Sequence, residues 1–277
     1  MELWVLKLLL TPVLIAGATL AARRWGAGVG GWLAGLPLTS GPVSIFLALE
    51  QGPPFAAQAA NGTLLGLIGV ASFCVVYATI ARAGLWHTAA LCGFTVFLMV
   101  TWLVWDLTSP PIVSFAAVLG VLLLASRLIP IRPNEVRRFV PVRWDLRIRI
   151  VVATTLVVGI TAGASVLGPQ LSGLLSPFPV FAAVMATFAH HQGGAAAAAH
   201  VLRGVVMGSF AFAAFFVVVS WSLGGAGLVA TYACATAAAI VVHSVTLTLL
   251  MRHRAAVAPP IIKNPVRSGN RSRCRSR

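Results

Sequence analysis

Two proline-bearing stretches hold the candidate substrate-binding groups of this sequence. Leu36-Pro37-Leu38-Thr39-Ser40-Gly41-Pro42 and Ser176-Pro177-Phe178-Pro179 each place hydroxyls beside prolines inside an apolar run. Proline removes a backbone donor and clashes with the preceding turn, so neither stretch can be a plain helix. The backbone groups freed there cannot face lipid; they must be buried in protein or line a wet cavity. Such a pair is suited to holding a small solute through hydroxyls and exposed backbone. The candidate substrate-binding residues are Gly35, Pro37, Thr39, Ser40, Pro42, Gly173, Ser176, Pro177 and Pro179. The plainer reading is that the prolines only kink helices for packing.

Few ionisable or strongly polar groups accompany the breaks. Glu50-Gln51 closes the first broken segment, and His190 and Gln192 close the second. Histidine titrates near neutral pH, which suits proton coupling, although both ends also read as ordinary interfacial residues. Asn61 and Arg203 occupy near-matching places shortly after the two broken segments. Arg203 suits an anionic substrate or a snorkelling contact with the interface. His243 lies mid-segment, where a polar side chain turns toward a bundle interior. Glu50, Gln51, Asn61, His190, Gln192, Arg203 and His243 form the coupling or gating set.

Other chemistries find no support. Gly-x-Ser-x-Gly, His-Glu-x-x-His and Walker patterns are absent, and Asp106 and Asp145, the only aspartates, fall in loops on opposite faces. His190, His191 and His200 make a poor metal set, because adjacent histidines on a helix point different ways and no carboxylate joins them. The four cysteines show no CxxC spacing. No catalytic residue, metal or cofactor is expected.

The elements that must position these groups are membrane helices. Of 277 residues, 59% are hydrophobic and 9% charged, against about 25% charged in an average globular chain, and mean hydropathy is +0.95. A spanning helix needs about 20 apolar residues. Nine segments meet that need: 3–22, 29–49 (broken), 57–81, 85–105, 111–128, 148–167, 171–189 (broken), 197–223 and 227–251. The runs are too long for barrel strands and lack their alternation.

Charge orients them. The chain carries 20 Lys+Arg against 5 Asp+Glu, a net +15, and the basic residues cluster in a few loops and the tail. Lys and Arg accumulate on the cytoplasmic side. Arg23, Arg24, Arg82, Arg132, Arg137, Arg138, Arg143 and the tail all fall on one side of a nine-span arrangement, with the N-terminus outside and the C-terminus inside. The expected location is the bacterial cytoplasmic (inner) membrane. The lipid bilayer is the first partner, with anionic headgroups against the basic loop and tail. Nucleic acid is not expected, since the tail lacks aromatic stacking residues. Gly- and Ala-rich faces suit partner helices or a homo-oligomer.

The two halves resemble each other. Leu33-Ala34-Gly35-Leu36 parallels Leu171-Ser172-Gly173-Leu174, Pro42-Val43 parallels Pro179-Val180, and Gln51-Gly52 parallels Gln192-Gly193. Corresponding spans are five apart, an odd number, so the halves would face opposite ways. Inverted repeats with interrupted helices at matching places are a recurring plan of secondary transporters. The stretch Ser172-Gly173-Leu174-Leu175-Ser176-Pro177-Phe178-Pro179-Val180-Phe181 also resembles the Ala-Gly-Leu…Phe-Pro-x-Phe stretch of the GlpM-type small bacterial inner-membrane proteins. Those are four-helix units about half this length, and the first half here lacks Phe-Pro-x-Phe. The resemblance implies two such units in tandem and transfers no functional residue.

The resulting expectation is an all-α integral membrane protein of about nine spans. It has a first four-helix repeat (1–106), a connector helix and basic cytoplasmic loop (107–146), an inverted second repeat (147–251) and a basic disordered tail (252–277), with a proline-broken helix in each repeat. The expected function is secondary transport, as a permease or exporter of a small solute. The alternative is a non-transporting scaffold or accessory subunit, and a membrane enzyme ranks third.

Overall fold

The computed structural model describes residues 13, 32, 36–37, 40–107, 109–129 and 145–257. The first predicted span, the basic loop at 130–144 and the tail beyond Val257 lie outside the described residues, apart from Val13. The described chain is entirely helical: α1 (Ser40–Glu50), α2 (Pro53–Ile80), α3 (Trp86–Val104), α4 (Pro111–Leu128), α5 (Asp145–Ala162), α6 (Ala164–Leu175), α7 (Val180–Ser222) and α8 (Leu228–Val257). Among the described residues, five helices are long and apolar enough to cross a membrane: α2, α3, α4, most of α7 and most of α8. The protein is an α-helical membrane protein.

Prolines and glycines set the helix starts. α2 and α4 open on Pro53 and Pro111 at their first positions, where a missing N–H costs nothing because no helical acceptor exists for it. α2 is entered through Gly52 at φ 90° and α8 through Gly227 at φ 76°, a region that residues with a Cβ avoid. Within the helices, hydroxyls return to their own backbone: Thr63 donates to the Ala59 carbonyl and Ser209 to that of Val205, both at 2.9 Å. That removes donors which would otherwise stand unpaired in an apolar medium.

α2 and α7 form the interior. About two-thirds of the apolar window of α2 and nearly three-quarters of that of α7 are buried, against about a fifth for α3, α4 and α8. The outer helices therefore present most of their apolar surface outward, as lipid-facing helices do. α2 packs on α3, α4, α6 and α7, while α8 packs on α7. Ser220 donates to the Ala57 carbonyl at one end of the α2–α7 pair, and Tyr77 meets His190 at the other, with ring centroids 6.1 Å apart. The two helices are thus antiparallel.

α2 and α3 interlock reciprocally. A Cβ added at Gly69 would lie 2.9 Å from the Phe97 ring, and one added at Gly93 would lie 2.8 Å from the Phe73 ring. Each glycine is the hole for a phenylalanine of the other helix, the close packing that small residues permit between membrane helices.

Five of the predicted spans, 57–81, 85–105, 111–128, 197–223 and 227–251, fall on helices long and apolar enough to cross a membrane, and the described helices depart from the predicted bounds in three further places. The predicted spans 171–189 and 197–223 are joined without a loop: within α7, one helix from Val180 and another to Ser222 meet at Gly194, whose φ 73° and ψ −173° are not helical. The turn expected after 167 is a single kink at Gly168, φ 72°, followed by Pro169 inside α6. α8 continues to Val257, so the first residues of the expected disordered tail are helical. The added turn has no proline before Pro259 to stop it.

Candidate functional site

The start of α1 meets the second proline break. α1 begins at Ser40, inside the stretch 36–42 expected not to be helical, because Pro42 in its first turn needs no helical acceptor; its 11 residues rise about 16 Å, roughly half of a hydrocarbon core. α6 ends at Leu175, and α7 begins at Val180 with Pro179 as its N-cap. Across the junction the Ser40 hydroxyl donates to the Ser176 carbonyl at 2.9 Å. Ser40 and Ser176 are both buried.

The second break is built tightly against α2. A Cβ at Gly66 would come 2.6 Å from Pro177 Cγ and 2.8 Å from the Leu174 carbonyl oxygen. A Cβ at Gly173 would run into the Ala59 carbonyl. Phe178 fills the side toward α3, stacked on Phe94 at 5.4 Å and edge-on to Phe97 at 5.3 Å. The conformation of the break is therefore enforced by α2 glycines and α3 aromatics as well as by the prolines.

Several backbone acceptors at this break are consumed locally. The Gly173 carbonyl accepts from the Ser176 amide at 3.0 Å, Leu175 from Phe178 at 3.1 Å, Phe178 from Val180 at 2.7 Å and Pro179 from Ala183 at 2.8 Å. Two hydroxyls are not: the buried Oγ atoms of Ser172 and Ser176 have no hydrogen-bond partner among the described residues. A buried polar atom left so costs about 1–3 kcal/mol. Ser172 was absent from the predicted set. Its place one helical turn before Ser176, on the same face, was a readable signal.

Of the other predicted binding residues, Pro37 is half-buried and its carbonyl accepts from the Gly41 amide at 2.8 Å. Pro42 is buried within α1. Gly35 and Thr39 lie outside the described residues.

The coupling set divides between places. Glu50 and Gln51 are exposed, at the end of α1 and in the turn that follows. Asn61 donates to the Ser109 carbonyl at 2.9 Å, while its Oδ1 is buried without a partner. Ser109 in turn bonds Ser114 of α4 at 2.7 Å. At the opposite end of α2, His190 is half-buried beside Tyr77, its Nδ1 without a partner. The Tyr77 hydroxyl faces Thr187 without closing a hydrogen bond. Gln192 sits half-buried just before the Gly194 kink, and Arg203 is half-buried beyond it, its Nε unpartnered. His243 is buried in α8 and stacks on Trp32 at 3.3 Å, and Trp32 Nε1 donates to Thr246 at 3.1 Å. Trp32, Tyr77 and the Ser44–Tyr232 hydroxyl pair at 2.7 Å were not anticipated, since their partners are distant in sequence.

Among the described residues, no group of three His, Cys, Asp or Glu side chains lies together as metal ligands would. No protein-family model, curated protein or solved structure matches the chain.

Proposed function

We propose that this protein is a secondary transporter, a permease or exporter of a small solute, with its site between the two proline breaks. The observation that carries the reading is the Ser40–Ser176 contact, which brings two interrupted helices together with unpartnered hydroxyls beside it. Broken helices meeting at membrane depth are where transporters of this plan bind substrate.

The proposal includes an inverted repeat. The first half comprises the span at 3–22, the broken helix ending in α1, then α2 and α3. The second comprises α5, the broken helix of α6 and early α7, the rest of α7, and α8, with α4 as connector. The reading is supported by matched punctuation: a short helix after the break, a glycine at positive φ (Gly52 and Gly194), a long interior helix, a tight turn and a final outer helix. Residence in a bacterial cytoplasmic membrane, N-terminus outside and C-terminus inside, belongs to the same proposal on the Lys/Arg distribution. So does kinship with the GlpM-type proteins, whose shared stretch here supplies Gly173, Pro177 and Phe178, the residues that lock the break against α2 and α3.

A second reading, a non-transporting scaffold, is favoured by one observation. Phe178, Phe94 and Phe97 fill the α3 side of the break with aromatic carbon, as a packing kink would require.

Cysteine accessibility separates the two. In a variant with the native cysteines replaced, single cysteines along 36–43 and 174–180 are probed with a membrane-impermeant thiol reagent in intact cells and in inverted vesicles. Labelling in both breaks, with opposite sidedness or changing with conditions, supports a wet pathway. Protection from both sides identifies buried kinks and removes the transporter.

A further inference from the structure

We infer that His243 is a proton-binding site, and that loading it releases a clamp between Trp32 and α8, so that opening at the breaks is proton-linked. The inference rests on the transporter reading above and adds its regulation by protons.

The clamp joins the two halves of the chain. Trp32 lies five residues before Pro37, on the segment that leads toward α1, and His243 lies within α8. Their rings stack face to face, with centroids 3.3 Å apart and planes within 12°. Trp32 Nε1 also donates to the Thr246 hydroxyl at 3.1 Å, and that hydroxyl donates to the His243 carbonyl at 3.0 Å. Trp32 and His243 are only 7% and 8% exposed.

The imidazole nitrogens are unspent. Nδ1 and Nε2 of His243 are both buried without a hydrogen-bond partner among the described residues. A histidine kept at this depth for structure alone would commit at least one of them to a hydrogen bond. A proton from the aqueous phase has a lone pair to bind there.

The ionisable groups nearby oppose that proton while the stack is closed. α8 packs on α7 and runs antiparallel to it, with Ser222 reaching Thr231 at 3.4 Å and Phe215 against Tyr232. This register brings Arg203 to about one turn from the level of His243, with His200 about one turn beyond. Along α8 the nearest ionisable residues are Cys234 and Arg252, nine residues to either side. The stretch 25–49 around Trp32 contains none, and α7 and α8 contain no acid. An imidazolium gains from an indole face, but a buried charge with no counter-ion or acceptor loses more. A protonated His243 therefore leaves the stack for water and frees Trp32. The segment it frees continues to Ser40, whose hydroxyl holds the Ser176 carbonyl.

The test uses the purified full-length protein in nanodiscs, open to reagent from both faces. Single cysteines along 174–180, on a background with the native cysteines replaced, are labelled at about pH 5.5 and about pH 8, either side of histidine's ordinary range. Each rate is divided by that of Gly225→Cys, an exposed position, in the same buffer. Labelling of the break should be about tenfold faster at the lower pH, the factor that one unit of difference in proton affinity between closed and open states supplies. In His243→Gln the dependence should vanish, and in His243→Arg, which is charged throughout, labelling should be fast at both values. Should His243→Gln fail to assemble, His243→Phe keeps an aromatic stack without a titrating nitrogen and reads the same loss. A pH response that survives in these neutral variants, or labelling of the break that ignores pH in the parent, overturns the inference and leaves a transporter without this proton link. A break sealed at both pH values in every variant, His243→Arg included, removes the transporter reading and the inference together.

Discussion

Ser40 and Ser176 stand 136 residues apart in sequence and are joined by one hydrogen bond, Ser40 hydroxyl to Ser176 carbonyl, at 2.9 Å. The bond ties the first residue of α1 to the residue that closes α6 and precedes α7. It couples α1 directly to the junction of α6 and α7, so any motion that opens the junction must break it or carry these helices together.

The two serines should therefore respond differently to alanine. Ser40→Ala leaves the buried Ser176 carbonyl unpaired and should cost about 1–3 kcal/mol, lowering the melting temperature in detergent. Ser176→Ala keeps the bond, which uses only its backbone, and removes an unpartnered hydroxyl. Its stability should be unchanged or higher, while solute flux falls, the trade-off common at functional sites. Equal destabilisation by both would contradict this account.

Gly173→Ala and Gly66→Ala should be severe, because the added Cβ meets backbone or a proline ring of the facing element rather than a flexible side chain. Overpacking of about 1–3 kcal/mol or more is expected, read as loss of monodisperse protein on size-exclusion chromatography. Gly120→Ala in α4, where a Cβ meets nothing within 4 Å, is the control and should be neutral or stabilising by up to about 1 kcal/mol.

The reciprocal fit of Gly69 with Phe97 and Gly93 with Phe73 predicts non-additivity. Gly69→Ala and Phe97→Leu should each destabilise, and the double variant should recover part of the loss. The coupling expected for residues in contact is about 0.5–3 kcal/mol. Thermal melts of the four proteins of the cycle measure it, and strict additivity would refute the interlock.

Gly194 tests backbone conformation free of packing, since its φ is 73° and a Cβ there meets nothing within 4 Å. With ψ −173° it lies outside the left-handed helical basin that Asn visits, in a region essentially confined to glycine. Gly194→Asn, Gly194→Ala and Gly194→Val should therefore all lower the melting temperature, each costing about 1–3 kcal/mol of stability. An unchanged melting temperature would show that α7 does not need the bend.

Much of this was legible in the residues. Hydropathy and proline placement alone locate α2, α3 and α4 to within a few residues, because a span is limited by bilayer thickness and a helix start by proline's missing donor. The breaks were legible for the same reason. The direct junction of two helices at Gly194, with no loop between them, was not, because Gly193-Gly194 reads equally as a turn or as a bend. The locking of Pro177 into Gly66, of Phe178 onto Phe94, and of Trp32 onto His243 left no local signal, since each partner is an ordinary membrane-helix residue in its own segment.

By itself the sequence determined that this chain is built of apolar helices, where they start, and that two of them are interrupted beside serines. Those are local properties, set by side-chain transfer energy and by the chemistry of proline and glycine. Only the tertiary structure decided that the start of α1 touches the second interruption, that several carbonyls there are satisfied while the Ser172 and Ser176 hydroxyls find no partner among the described residues, and that an α2 glycine holds it in place. These are outcomes of long-range packing, in which a hydrogen bond is made or left unmade by a residue more than a hundred positions away.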